Sequence, residues 1–148
     1  MGHSYICNRV HIVFSTRERK DLLSPENQTL LWAYLTGIAK NFHAQVLKIG
    51  GTANHIHALI GLPATVALAV AVQKIKGSSS KWMHENGVKD FEWQEGYAAF
   101  SVSASGLDAV VHYIENQAEH HAKHSFEDEF KSLLIRHGVA FNEHYVLG

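Results

Sequence analysis

Two histidines separated by one residue are the first candidates for chemistry in this sequence. His55 and His57 flank Ile56 in the run of residues 54–60. Side chains of a β-strand alternate between its two faces, so both imidazoles point the same way while Ile56 points into the core. Two imidazoles on one strand face can share a metal ion, although two polar residues on a solvated face produce the same pattern. The spacing alone leaves both interpretations open.

A tyrosine and a glutamine four residues apart form the second candidate pair. Tyr113 and Gln117 lie in a segment whose apolar residues recur at helical spacing. A separation of four residues places the pair on neighbouring turns of one helix face, at the edge of the buried stripe. A tyrosine at such an edge commonly packs its ring and exposes its hydroxyl to water. The spacing alone therefore does not select a chemical role for Tyr113.

The strands that must position the histidines follow from hydrophobic periodicity. Gly50 and Gly51 predict a turn shortly before the histidine pair. Alternating apolar residues, or an enrichment in aromatic residues, predict four strands, over residues 5–14, 44–49, 55–62 and 91–102.

Helical periodicity and capping residues predict four helices. Ser24, followed by a proline, begins the first helix. The second begins near residue 65 and is interrupted near residues 77–80, where a glycine and three serines follow one another. Ser105 caps the third, which bears Tyr113. The last two helices cover about residues 105–120 and 126–137.

The order strand, helix, strand, strand, helix, strand is that of the split βαβ arrangement. It predicts an α+β fold of the ferredoxin-like (RRM-like) class, with a four-stranded antiparallel sheet and two helices on one face. The tyrosine-bearing helix and a closing helix are added after this unit. We expect a single domain over residues 1–148, with its core at about residues 4–103.

The composition narrows the class of protein. A chain of 148 residues with 46% hydrophobic residues can bury a core of its own. Its net charge of −1 fits poorly to a non-specific duplex binder, although a local basic patch could grip a small folded nucleic acid. Cys7 is the single cysteine, which excludes an internal disulfide and a multi-cysteine zinc site. With no visible signal peptide or membrane-length apolar run, we expect a cytoplasmic protein.

Taken together, the two motifs resemble a known family. The pair His55 and His57, followed by a later helix with Tyr113 and Gln117, resembles the single-tyrosine transposases of the HUH nuclease superfamily. These are the TnpA-type enzymes of small single-strand insertion sequences, with the REP-associated tyrosine transposases as relatives. Further segments resemble the family in the same order along the chain, at residues 11–17, 76–82, 93–97 and 126–130.

The resemblance implies a concrete chemistry. His55, His57 and the amide oxygen of Gln117 would hold Mg²⁺ or Mn²⁺, which draws charge off the scissile phosphate. Tyr113 would be the nucleophile and would form a 5′-phosphotyrosine link with a free 3′-hydroxyl. The covalent link keeps the energy of the phosphodiester, so the strand can be rejoined without ATP. The proton acceptor for Tyr113 stays open.

The resemblance also implies the partners. Family members recognise hairpins in single-stranded DNA at the ends of mobile elements, in bacteria or archaea. They act as homodimers, in which active sites are commonly shared between the subunits. The candidate phosphate contacts are the basic residues Arg9, Arg17, Arg19, Lys20, Lys74, Lys76 and Lys81.

Two other functions fit the same residues. A non-catalytic nucleic-acid binder on this fold would keep the sheet and some basic residues but would not need Tyr113. A metal-dependent hydrolase would use His55 and His57 with water as the nucleophile. A covalent protein–DNA adduct separates the transposase from the binder, and loss of activity in Tyr113→Phe separates it from the hydrolase.

Overall fold

The computed structural model describes residues 2–148 and contains one four-stranded antiparallel sheet. Its strands are β1 (Arg9–Ser15), β2 (Gln45–Thr52), β3 (His55–Gly61) and β4 (Ala98–Ser101). They are ordered β2-β3-β1-β4, so the two strands that meet in the middle, β3 and β1, are distant in sequence. This is the order of the split βαβ arrangement, and it confirms the predicted ferredoxin-like α+β fold.

Two long helices cover one face of the sheet. They are α1 (Pro25–Asn41) and α2 (Leu68–Glu85). Ser24 caps α1 as predicted, because its side chain accepts a hydrogen bond from the backbone N–H of Asn27. Ile12, Phe14 and Ile56 point from the central strands into this layer and are fully buried. Each such side chain contributes roughly 1.5–3 kcal/mol through burial.

Three shorter helices cover the opposite face. They are α3 (Leu107–Glu115), α4 (Gln117–His121) and α5 (Phe126–Arg136). A second apolar cluster joins the sheet to α5 on this side, and it contains Val13, Phe100, Phe126, Phe130 and Leu133. The sheet is therefore buried on both faces, whereas the sequence analysis placed helices on one face and left the added helices unplaced. His55 and His57 lie in this second layer and not on a solvated surface.

The turn predicted at Gly50 and Gly51 is wrong. Both residues lie inside β2, where Gly50 pairs with His57 and Gly51 with Ile56. The chain reverses two residues later, in the two-residue loop 53–54. Gly50 lies inside the strand because Ile114 of α3 packs so closely on it that a Cβ would not fit.

The interruption predicted in the second helix is also wrong. Helix α2 runs without a break from Leu68 to Glu85. The Ser79 hydroxyl donates to the carbonyl of Ile75 at 2.6 Å and accepts from the indole N–H of Trp93 at 2.8 Å. Both hydrogen bonds satisfy a buried serine inside the helix, so the glycine and serine run does not end it.

The remaining differences concern where elements begin and end. The first strand begins at Arg9, and β4 covers four residues of the predicted 91–102. The third predicted helix is divided at Asn116, whose backbone (φ −101°, ψ 24°) leaves the helical region. Ser103 rather than Ser105 caps the turn before it, by accepting from the N–H of Gly106. Among residues 2–148, no helix is both long and apolar enough to cross a membrane.

Candidate active site

A buried carboxylate lies at the centre of the helical layer beside the histidine pair. Glu129 projects from α5 and is 4% exposed. Its Oε1 lies 3.1 Å from His57 Nε2 and 3.0 Å from His121 Nε2, within hydrogen-bond distance of both. Its Oε2 accepts from Gln117 Nε2 at 3.1 Å and from the Tyr113 hydroxyl. One carboxylate therefore joins groups from β3, α3, α4 and α5.

The charge of Glu129 follows from these contacts. Burial acts to raise the pKa of this group, but hydrogen bonds with His121 and His57 outweigh burial. They hold the pKa of Glu129 well below its ordinary value. The group is a carboxylate at neutral pH and places a negative charge beside the histidine pair.

Two histidines of the sheet, His55 and His11, are neutral at physiological pH. Burial, with the nearby His57 as the second cause, lowers the pKa of His55 to about 3, and the hydrogen bond with Gln117 offsets only part of this. The same two causes lower the pKa of His11, on β1, to about 3. His11 Nε2 lies 2.8 Å from His57 Nδ1, so a hydrogen bond between the two rings fixes the orientation of His57. Neutral imidazoles carry the lone pairs that bind metal ions.

The hydrogen bonds of His55 test whether a cation fits this site. Its Nδ1 lies 2.9 Å from the amide oxygen of Asn54, and its Nε2 lies 2.8 Å from the amide oxygen of Gln117. A neutral imidazole has one N–H and can satisfy only one of these two acceptors. A proton on Nδ1 leaves the Nε2 lone pair facing an oxygen lone pair. A cation between them would satisfy both, so the donor set fits a metal ion.

Tyr113 reaches the cluster from α3. Its ring lies edge-on to those of His57 and His120, with centroid separations of 5.6 and 5.5 Å. Burial raises the pKa of the Tyr113 hydroxyl, and the hydrogen bond with Glu129 raises it further. The phenol is therefore protonated at neutral pH and donates to the Glu129 carboxylate.

The structure brings together the four residues singled out in the sequence as catalytic or metal-binding. His55, His57, Gln117 and Tyr113 all contact Glu129 or one another, and all four belong to the same chain. The histidine pair of β3 and the pair Tyr113 and Gln117 therefore lie in a single site. The predicted helix between Tyr113 and Gln117 is broken at Asn116, but both side chains still face the cluster.

Three members of the cluster were missed by sequence reasoning: His11, His121 and Glu129. Two of them carry a local signal. Glu129 occupies a position on the buried stripe of α5, between Phe126 and Phe130, where a charged residue is unusual. His121 follows Gln117 by four residues and shares its helix face. His11, on β1, carries no such signal, and it is buried because α3–α5 cover this side of the sheet.

The basic residues proposed as phosphate contacts do not form one patch. Three of them pair with glutamates, as Arg17 does with Glu92 at 2.8 Å. Lys76 donates to the backbone carbonyls of residues 94–96 at 2.7–3.1 Å. Arg17, Arg19 and Lys76 line one cleft of about 930 Å³, which five glutamates also line. Arg9, Lys20, Lys74 and Lys81 lie outside this cleft.

Comparison with solved structures places the fold among transposases. A candidate transposase from Deinococcus radiodurans R1 is 22% identical, with a TM-score of 0.64, covering 79% of this chain and 96% of that one. A REP-associated tyrosine transposase bound to a REP hairpin is 17% identical, with a TM-score of 0.62, covering 82% of this chain and 73% of that one. At these identities the likeness concerns the fold.

Comparison of the sequence with protein families identifies the group. Curated individual proteins yield no significant match. The sequence model of the family described as "Transposase IS200 like" matches residues 5–117, which include both histidines of β3, Tyr113 and Gln117. Since that match spans well over half of the sequence, the chain belongs to the IS200-like transposase family.

Proposed function

We propose that this transposase cleaves and rejoins single-stranded DNA through a covalent 5′-phosphotyrosine intermediate on Tyr113. One observation carries the proposal. The Tyr113 hydroxyl and His57 Nε2 hydrogen-bond to the two oxygens of the same carboxylate, that of Glu129. The phenol oxygen is thereby held beside the imidazole pair within a single chain, which supports attack by Tyr113 on a phosphate bound there.

His55, His57 and the amide oxygen of Gln117 would hold Mg²⁺ or Mn²⁺. Two imidazoles and an oxygen acceptor, with a carboxylate beside them, are a donor set that such an ion accepts. When bound, the ion would act as a Lewis acid on the scissile phosphate.

The residues of the chain account for the remaining requirements. Attack forms a bond between the Tyr113 oxygen and phosphorus as the bond from phosphorus to the 3′-oxygen breaks. The 3′-oxygen leaves as a free hydroxyl, and the phenol gives up its proton. Glu129 orients the phenol before attack, because it accepts the hydroxyl hydrogen. Reversal by a 3′-hydroxyl rejoins the strand, since the phosphotyrosine link retains the energy of the phosphodiester.

We further propose hairpin-forming single strands as the substrate. A relative with the same fold binds a REP hairpin. Phosphate contacts would come from the cleft residues Arg17, Arg19 and Lys76, and from the more dispersed Arg9, Lys20, Lys74 and Lys81. The net charge of −1 favours a small folded element over long duplex DNA. A homodimer stays a prediction, which light scattering on the purified protein would test.

The experiment uses labelled hairpin oligonucleotides with randomised single-stranded flanks, incubated with the protein and Mn²⁺ or Mg²⁺. We expect an adduct that survives denaturing electrophoresis, requires the metal ion and is absent in Tyr113→Phe. Tyr145→Phe is the matched control, because Tyr145 is 76% exposed and lies outside the cluster. Cleavage that persists in Tyr113→Phe would indicate a hydrolase. Hairpin binding without any adduct would indicate a binding domain and refute the proposal.

A further inference from the structure

We infer that His121 and Glu129 are metal ligands, and that with them the site binds Mn²⁺ and later first-row transition ions far more tightly than Mg²⁺. This inference rests on the proposed function, because it extends the metal site proposed there. The predicted ligand set contained two imidazoles and one amide oxygen. The structure offers a third imidazole, from α4, and a carboxylate, from α5.

The first support is the convergence of three imidazoles on one oxygen. The Nε2 atoms of His55, His57 and His121 lie 3.6, 3.1 and 3.0 Å from Oε1 of Glu129. Two ligand atoms on one ion, each about 2.1 Å from it, lie roughly 3.0–3.4 Å apart when adjacent. The four donor atoms all lie within 4.8 Å of one another. Small side-chain rotations would therefore bring all four to a common ion.

The second support is the position of the hydrogen atom on His121. Its Nδ1 lies 2.7 Å from the backbone carbonyl of His124, which can only accept a hydrogen bond. With a hydrogen on Nδ1 satisfying that carbonyl, His121 can present the lone pair of Nε2 to an ion bound beside Glu129. His55 shows the same arrangement, with Nδ1 on Asn54 and Nε2 toward the cluster. This is how imidazole ligands are commonly oriented, with the second nitrogen bonded to a fixed acceptor.

The third support is charge. His55 and Glu129 are at most 1% exposed at the side chain, and the carboxylate is the only acidic group of the described cluster. Burying a negative charge is costly, and a cation beside Oε1 would offset that cost. Since Oε1 would face the ion, Oε2 could still accept from Tyr113 and Gln117, as it does in the structure. Glu129 would then join the nucleophile to the metal site.

The donor chemistry selects the ion. Mg²⁺ prefers oxygen ligands and keeps several waters. Imidazole binds transition ions, and their affinity rises from Mn²⁺ along the series. Three imidazoles and one carboxylate are a poor set for Mg²⁺. With the Gln117 oxygen, the site offers five donor atoms. Zinc usually takes four ligands, so five donors favour an ion that accepts more.

The experiment measures metal binding by the full chain without DNA, by titration calorimetry with MnCl₂ and with MgCl₂. We expect Glu129→Gln and His121→Ala each to weaken Mn²⁺ binding at least about tenfold, as changes of ligands and their supports do. The matched controls are Glu127→Gln, two residues away and exposed on α5, and His112→Ala, exposed on α3. Both should bind Mn²⁺ as the unaltered protein does.

Co²⁺ absorption and the variant His55→Ala distinguish the remaining outcomes. Co²⁺ absorption should change in His121→Ala, whose fold is easily checked by circular dichroism, even if Glu129→Gln does not fold. The inference is overturned if both variants bind Mn²⁺ normally while His55→Ala does not, and the proposed function then survives. It is also overturned if Mg²⁺ binds as tightly as Mn²⁺. Normal Mn²⁺ binding by His55→Ala as well would instead refute the metal site of the proposed function.

Discussion

Replacing Gly50 with alanine should displace helix α3, which packs on β2 at this residue. A Cβ at this position would lie 2.7 Å from the carbonyl oxygen of Ile114 and 2.8 Å from its Cγ2. Ordinary contacts begin near 3.4 Å, so α3 would have to move away by about 0.7 Å, the difference between 3.4 and 2.7 Å. The nearest atom belongs to the helix backbone, so no side-chain rotation can relieve the contact.

The movement should cost both stability and activity. Overpacking of this kind destabilises a protein by about 1–3 kcal/mol. Tyr113 immediately precedes Ile114 in α3 and would move with it. A misplacement approaching 1 Å can reduce a rate by on the order of a hundredfold. We therefore expect a reduction in the rate of adduct formation of about tenfold to a hundredfold, even under conditions in which Gly50→Ala is fully folded.

The assay combines urea denaturation with the rate of adduct formation, using Gly77→Ala as the control. Gly77 lies within α2, and a Cβ there would meet no atom within 4 Å. The free energy of unfolding of the control should rise by up to about 1 kcal/mol, because alanine favours the helix more than glycine does. If Gly50→Ala keeps the stability and the rate of the unaltered protein, α3 does not pack on β2 as described, and the reasoning fails.

Three further outcomes are expected. Asn54→Ala should weaken Mn²⁺ binding about 10–100-fold in calorimetry, because the Asn54 amide oxygen lies 2.9 Å from Nδ1 of His55 and orients the ring; unchanged affinity would exclude this orienting role. Mixing His57→Ala with Tyr113→Phe should restore no adduct, because both groups meet within one chain; restored adduct would show that subunits exchange them. Ser125→Ala should lower the free energy of unfolding by about 1 kcal/mol in urea, since its side chain caps α5; a loss near zero would contradict the cap.

The parts of the site that lie on single elements could be predicted from sequence. Alternation along β3 placed His55 and His57 on one face, and helical spacing placed Tyr113 and Gln117 together. These are local regularities, which depend only on the geometry of a strand or a helix. The order of elements likewise predicted the sheet, because few topologies accommodate that order.

The parts that depend on contacts between distant elements could not be predicted. Glu129 meets His57 across 72 residues of sequence, and no local pattern indicates that α5 returns to the sheet. The same helical layer buries His11. The turn predicted at the glycine pair of β2 is wrong for a related reason. A glycine that admits a helix and a glycine that admits a turn look the same in sequence.

The hydrogen bond between Tyr113 and Glu129 has a kinetic consequence, because its two partners lie on different helices. Movement of α5 relative to α3 would displace the carboxylate oxygen that holds the hydroxyl. If Tyr113 attacks DNA as proposed, the rate of strand cleavage would depend on how often the two helices hold this geometry. Changes that alter the mobility of α5 would then alter turnover without touching any atom that reacts.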